Sequence, residues 1–346
     1  MDHPNTKDEP PSIAVTRRDD CSARTSLLHW RLRTAGSKLN RPKRFSFPEG
    51  EWSLPLVIPQ QVKLPPSITV SMRQISGIWI HDITTAQHID DNQKLPGRAC
   101  RRKQIYYIAG GSWQSPPGPH HWKSVTEWAL VLPDTTVGLI SAPLAPAHPA
   151  PRAFDKLLEL YQQLMAGHTE ATAKDDNDEP ERIIWAGDSS GANQVLCVTV
   201  ECLSRHPELR APDAIMAICP STDLTRANPA IKVVEKKDPL LSYDAVVESA
   251  AVWAGEWDRA DARVSPLFAD LARLRARNIA VHGVTAGYDV LGPDGVLFRE
   301  RLADLGIRGR WLEWGRQMHN FPLTWTYAIR EAREAFVWIT AVLRDV

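Results

Sequence analysis

From residue 104 onward, short runs of β-branched, aromatic and aliphatic residues alternate with stretches whose apolar positions recur at helical spacing. Gln104-Ile-Tyr-Tyr-Ile-Ala reads as a strand, Trp122 to Leu132 as a helix, Val137-Gly-Leu-Ile-Ser as a strand and Phe154 to Ala166 as a helix. After an acidic loop at Lys174 to Glu181, the apolar run Ile183-Ile-Trp-Ala enters a third strand–helix pair. Further strands follow at Ala214 to Cys219, Ile279 to Val284 and Arg310 to Trp314, with helices at Gly295 to Leu305 and Trp325 to Leu343. Strands that are apolar throughout have both faces buried. The pattern therefore predicts an α/β fold, with a mainly parallel sheet covered by helices on both faces.

Two regions break this rhythm. Residues 1 to about 20 are charged and proline-bearing and are expected to form a flexible tail, leaving 21–346 as one domain. Leu27, Leu28, Trp30 and Leu32 suggest a short amphipathic helix, after which Pro48, Pro55, Pro59, Pro65 and Pro66 forbid long regular elements. Ile68 to Arg73 and Gly77 to Ile83 alternate partially, as a hairpin at a sheet edge would. Residues 221–263 insert a helix near Tyr243 to Trp257 between two strands. The segments 25–60 and 221–263 are the expected helical cap.

Composition narrows the class. The 346 residues are 43% apolar and 24% charged, with 41 Lys plus Arg against 41 Asp plus Glu. This balance leaves no global field to recruit nucleic acid. The clusters Arg98, Arg101, Arg102, Lys103 and Arg41, Lys43, Arg44 read as solvated surface. Five cysteines (Cys21, Cys100, Cys197, Cys202, Cys219) form no C-x-x-C pair, which argues against a disulfide framework or a zinc site. The polar N-terminus has no apolar signal core, and no run reaches the ~18 apolar residues of a membrane span. No stable membrane insertion and a cytoplasmic location are expected; a homodimer is left open.

The stretch that carries chemistry is Gly187-Asp-Ser-Ser-Gly, which sits between a strand and a helix. G-x-S-x-G recurs by chance in Ser- and Gly-containing loops, but those flanks are what a strained nucleophile turn at Ser189 requires. A serine needs a base, and the base needs an orienting carboxylate, both at strand ends. Asp289 follows the strand ending at Val284, and His319 follows the strand ending near Trp314. Asp294 reads instead as a first-turn helix acid, His282 as a packed strand residue, and His120 and His121 as a helix start. Ala109-Gly110-Gly111-Ser112-Trp113, directly after a strand, suits backbone donors for an oxyanion; Gly110, Gly111 and Ser190 are the candidates.

Together with Ala142-Pro-Leu-Ala-Pro-Ala-His-Pro, Gly287-Tyr-Asp-Val-Leu and His319-Asn-Phe, these motifs resemble the hormone-sensitive-lipase-like branch of the α/β-hydrolases. The resemblance covers about residues 100–345. It implies an eight-stranded core, a cap, carboxylester hydrolysis and the triad Ser189, Asp289 and His319. The family's oxyanion motif is H-G-G-G; Ala109 and Ser112 depart from it here, which puts the bracing of that loop in question.

The expectation is a serine carboxylesterase that hydrolyses a small or medium hydrophobic ester without metal or organic cofactor. An acyltransferase or cyclising enzyme would use the same triad, and a non-catalytic small-molecule binder the same fold. Trp30, Trp52, Trp113, Trp253 and Trp257 are candidates for an aromatic pocket, each with plain packing as the competing reading.

Overall fold

The computed structural model describes residues 11–35, 47–48, 51–85, 102–172 and 180–346. Nine strands among these residues form one sheet: β1 (Ile13–Arg18), β2 (Ile68–Ile75), β3 (Ile78–Thr85), β4 (Lys103–Ile108), β5 (Thr135–Ile140), β6 (Arg182–Asp188), β7 (Ala214–Ile218), β8 (Ala280–Tyr288) and β9 (Gly309–Met318). Their spatial order is β1-β9-β8-β7-β6-β4-β5-β3-β2. Only the β2–β3 and β3–β5 pairings are antiparallel, so the mainly parallel sheet and its edge hairpin are as expected.

The pleat divides the core in two. On β4, Ile105 and Tyr107 face α2 (Pro119–Val131) and α9 (Arg330–Asp345), where Trp128 stacks on Phe336 at 5.5 Å. The intervening Tyr106 and Ile108 face α3 (Ala150–Thr172) and α4 (Ser189–Arg205), where Tyr106 and Tyr161 pack against Trp185. A strand buried on both faces has no reason to alternate in polarity. That is why β4 to β8 read as continuous apolar runs.

The ninth strand corrects two expectations. Residues 13–18, taken as part of a flexible tail, form β1, which pairs parallel to β9 from Ile13↔Gly309 to Arg18↔Trp314. The sheet therefore has nine strands, not eight. As an edge strand, β1 buries only Ile13 fully, and its charges are matched by distant partners: Arg17 pairs with Glu313, and Arg18 pairs with Glu334 and lies over the Trp314 ring. The chain then enters α1 (Ala23–Ala35), where the Ser22 and Thr25 hydroxyls donate to the buried Glu331 of α9. Lys103 is a further correction. It is buried, not solvated, and its ammonium donates to the Leu343 carbonyl near the C-terminal end of α9, the end that attracts cations. Arg41, Lys43, Arg44, Arg98, Cys100 and Arg101 lie outside the described residues.

The remaining helices are α5 (Ala230–Glu235), α6 (Tyr243–Ala254), α7 (Ala272–Ala276) and α8 (Gly292–Asp304). Helices α5 and α6 belong to the insertion after β7 and cover the end of the sheet to which the strands deliver Ser189, Asp289 and His319. Residues 51–60, expected in the cap, pack against β3 and the end of β5 instead. The Ser53 hydroxyl accepts the Trp79 N–H, Leu54 accepts from the Ser141 hydroxyl, and Leu56 donates to His81.

Candidate active site

Strand β6 ends at Asp188, and α4 begins at the next residue. Ser189 itself holds the left-handed φ of +52° that the turn demands. A side chain there is strained by about 1 kcal/mol or more, which only a well-packed surround sustains. The flanking glycines serve closeness rather than backbone freedom. A Cβ on Gly191 would lie 2.0 Å from the Ile108 carbonyl oxygen, and one on Gly187 would lie 2.7 Å from the Ala192 nitrogen. The elbow thus presses against the end of β4, beside the glycine loop that follows that strand.

Two parallel strands bring the other members. Asp289 follows β8 and His319 follows β9, neighbouring strands in the sheet. His319 Nε2 lies 2.9 Å from the Ser189 hydroxyl oxygen, and its Nδ1 lies 2.7 Å from Asp289 Oδ2. The other oxygen of Asp289 accepts the Leu291 N–H at 2.9 Å. Burial alone would lower the pKa of His319, but the charge and hydrogen bond of Asp289, with Asp238 and Asp188 beyond, hold it above its ordinary value. Asp294 is not part of this line. It sits in the first turn of α8, buried, accepts from Asn228, and is pushed up to about 6, chiefly by desolvation. His282 is a buried residue of β8 that accepts the Arg310 N–H.

The glycine loop differs from expectation at one position. Gly110 donates its N–H to Asp188 Oδ1 at 2.9 Å, so it is not available to an oxyanion. Gly111, Ser112 and Trp113 follow with φ of +141°, +56° and +58°, a strained run. Among the described residues no acceptor is found for the N–H of Gly111 or Ser112. Trp113 donates its N–H to the Ser190 hydroxyl at 3.1 Å, which braces the loop from the far side. The N–H of Ser190 is at the open start of α4, where backbone donors have no partner within the helix.

Asp188, the residue between Gly187 and Ser189, is the hub that sequence reasoning missed. Its carboxylate also accepts from the Tyr107 hydroxyl at 2.6 Å, from the Asn320 amide at 2.6 Å and from His121 Nε2 at 3.4 Å. His121 Nδ1 accepts the Gly118 N–H, which leaves the ring proton on Nε2 for Asp188. Desolvation would raise the acid, but His121, Tyr107 and the Gly110 N–H outweigh it and pull it down to about 2. With Ala109 where the related motif has histidine, this carboxylate and the Trp113–Ser190 bond hold the loop. No spacing rule in the sequence points to it, since its four donors come from β4, the glycine loop, α2 and the residue after His319.

A family model described as the alpha/beta hydrolase fold matches residues 105–323, more than half of the chain. The chain belongs to the α/β-hydrolase family. It is 27% identical over 232 residues to an esterase of Acinetobacter venetianus, covering 67% of this chain and 71% of that one. It is 26% identical over 260 residues to the esterase LipU of Mycobacterium tuberculosis, covering 72% and 81%. Mouse hormone-sensitive lipase is 30% identical over 161 residues, 46% of this chain but 20% of the lipase. Among solved structures, that of EstE5 soaked with p-nitrophenyl butyrate superposes with a TM-score of 0.71 at 20% identity, over 94% of this chain and 99% of the other.

In this α/β-hydrolase the Ser189 hydroxyl opens into a cavity of about 410 Å³. One wall is the glycine loop with Trp113, His120 and His121; another is Met318 at the end of β9 with Leu323 and Tyr327 beyond it; the lid is Leu240, Leu241, Ala245, Val246 and Ser249 of the insertion. No described residue of 25–60 lines it; among the described residues the cap side of the cavity comes from 221–263. Of the five tryptophans considered, only Trp113 does. Trp253 is buried behind it, stacked at 5.8 Å with an interplanar angle of 6°. Trp257 packs edge-on to Phe154 under the Arg263 guanidinium, Trp52 lies against His148, and Trp30 is exposed on α1.

Cys219, Asp289 and His319 bring their ligating atoms within 4.8 Å of one another. Desolvation and the nearby Asp289 push the Cys219 thiol well above its ordinary value, so it stays protonated there. The His319 Nδ1–Asp289 bond already uses the two other donors. This set suits proton transfer better than a cation.

Proposed function

We propose that this chain is a serine carboxylesterase acting on small to medium, mainly hydrophobic esters through an acyl-enzyme. Ser189 attacks the ester carbonyl while His319 Nε2 takes its proton. Asp289 holds the imidazole tautomer and steadies the imidazolium that forms. The tetrahedral oxyanion is received by the N–H groups of Gly111, Ser112 and Ser190. His319 then gives the proton to the leaving alcohol, and water, deprotonated by the same imidazole, releases the acid.

The observation that carries this reading is the unbroken line from Ser189 through His319 to Asp289, at 2.9 and 2.7 Å, on the floor of a largely apolar cavity. Esterases among the relatives on both sequence and fold agree with it. None of the described helices is long and apolar enough to cross a membrane, and the ester is taken as a free small molecule. The test is a p-nitrophenyl ester series with a serine-directed phosphonate. Turnover should be lost in step with labelling of the peptide carrying Gly187 to Gly191; turnover that survives complete labelling would overturn the reading.

A further inference from the structure

The cap insertion and the turn that carries Asp289 meet at one buried carboxylate. Asp238 lies between α5 and α6, only 8% exposed. Its Oδ2 accepts the Val290 N–H at 2.9 Å, and its Oδ1 accepts the N–H groups of Leu240 at 2.8 Å and Leu241 at 2.9 Å. Around this bond, Val290 and Leu291 form a small apolar cluster with Ile231 of α5 and Val246 of α6, and Leu241 packs against it. Leu240, Leu241, Val246 and Leu291 also line the cavity. The residues that would touch an acyl chain are thus the ones that grip the backbone directly after Asp289.

We propose that Asp238 is a positioning residue, which ties the pocket-lining loop of the cap to the turn of the catalytic acid, so that seating a substrate against Leu240 and Leu241 sets Asp289 against His319. This rests on the triad reading above. A tie needed only for folding could be made by backbone bonds or apolar contact, without a second anion next to Asp289. Here the anion is retained at a cost: desolvation and then the charge of Asp289 push Asp238 up to about 6, against its three N–H bonds.

The charge also reaches the base. The groups facing His319 are Asp289 after β8, Asp188 at the end of β6, the protonated Cys219 thiol after β7, and Asp238 itself. From the insertion, the Arg226 guanidinium feels the charge of Asp289, and the Lys237 ammonium lies 5.9 Å over the Tyr288 ring. Of the three anions, Asp238 alone is neither the triad acid nor the brace of the glycine loop. Its removal should therefore be visible in the acid limb of the pH profile as well as in turnover.

The test compares Asp238→Asn and Asp238→Ala with the full-length parent on p-nitrophenyl acetate and hexanoate, measuring kcat and KM from pH 5 to 9. Asparagine keeps the shape but turns an amide N–H₂ toward one of the backbone donors. We expect kcat on hexanoate to fall about tenfold or more, as for a sub-ångström misplacement of a catalytic group, with KM changed much less. The acid limb of kcat/KM should move to lower pH, because an anion favouring the imidazolium has gone. Toward pH ~5, where Asp238 is mostly protonated in the parent, the two limbs, each normalised to its plateau, should converge. If Asp238→Ala does not fold, Asp238→Asn decides. A variant with parental kcat and an unmoved acid limb, or one that loses only thermal stability, would overturn the proposal. Ser189→Ala, assayed alongside, separates the two readings: residual turnover in it sinks the triad itself, whereas an inactive Ser189→Ala beside a parental Asp238→Asn sinks only this inference.

Discussion

Asp188 Oδ1 accepts the backbone N–H of Gly110 at 2.9 Å, so the residue next to Ser189 holds the loop that faces Ser189. Its second oxygen takes the amide of Asn320, the residue after His319. One buried carboxylate therefore ties together the glycine loop, Ser189 and the residue after His319. Asp188→Asn should lower kcat by roughly 10²-fold, the scale of losing one oxyanion donor, with a smaller effect on KM. Steady-state kinetics on the acetate ester check this; an unchanged kcat would show that the loop is held by the Trp113–Ser190 contact alone.

The same group makes a statement about acid stability. Its folded pKa is depressed from 3.8 to about 2, so its charged form stabilises the fold by about 2 kcal/mol above pH ~4, and that contribution is lost as pH falls toward 2. Unfolding by urea at pH 7 and at pH 3 should show the Asp188→Asn penalty reduced by about 1 kcal/mol at the lower pH, with the rest lost only toward pH ~2. A penalty that stays constant across that window would refute the assignment.

The triad acid can be told from its neighbour by substitution. Asp289→Asn should reduce turnover by about 10⁴-fold, as removal of the orienting carboxylate does in serine proteases. Asp294→Asn should keep most of its activity, because that carboxyl accepts from Asn228 in the first turn of α8 and lies outside the line of proton transfer. Reversed magnitudes would mean that the wrong carboxylate has been paired with His319.

His319 works as a base only when neutral, and its pKa is held above the ordinary value by Asp289. The acid limb of kcat/KM should accordingly lie above pH 6.5, and activity should fall as pH drops through it. A limb centred well below 6.5 in the parent enzyme would contradict the environment described for the imidazole.

Chain-length preference should respond to Val246, not to Trp253. Val246 lines the cavity from α6, so Val246→Phe should depress hexanoate turnover against acetate several-fold. Trp253 is buried against Trp113, outside the cavity lining, so Trp253→Ala should cost stability on the scale of ~3–5 kcal/mol. A ratio of the two esters unmoved by Val246→Phe would place the acyl group elsewhere in the cavity.

What the sequence determined by itself was the parallel core and the placement of Ser189, Asp289 and His319 at its strand ends. Strands buried on both faces must be apolar throughout, and the turn at Ser189 needs glycines where the backbone of β4 presses against it; both constraints are local and leave marks at fixed spacing. The hairpin of β2 and β3 was legible for the same reason. Strand β1 was not, because an edge strand buries few side chains and its charges, Arg17 and Arg18, find partners some 300 residues away in Glu313 and Glu334. The glycine loop was legible, but that the Gly110 N–H is taken up was not, because its acceptor, Asp188, lies on another strand. Asp188 and Asp238 gather donors from several elements each, and the tryptophans of the insertion turned away from the cavity that Leu240, Leu241 and Val246 cover. Relationships of that kind have no period along the chain. They exist only once the sheet has brought its strand ends together, and so the tertiary structure alone decided them.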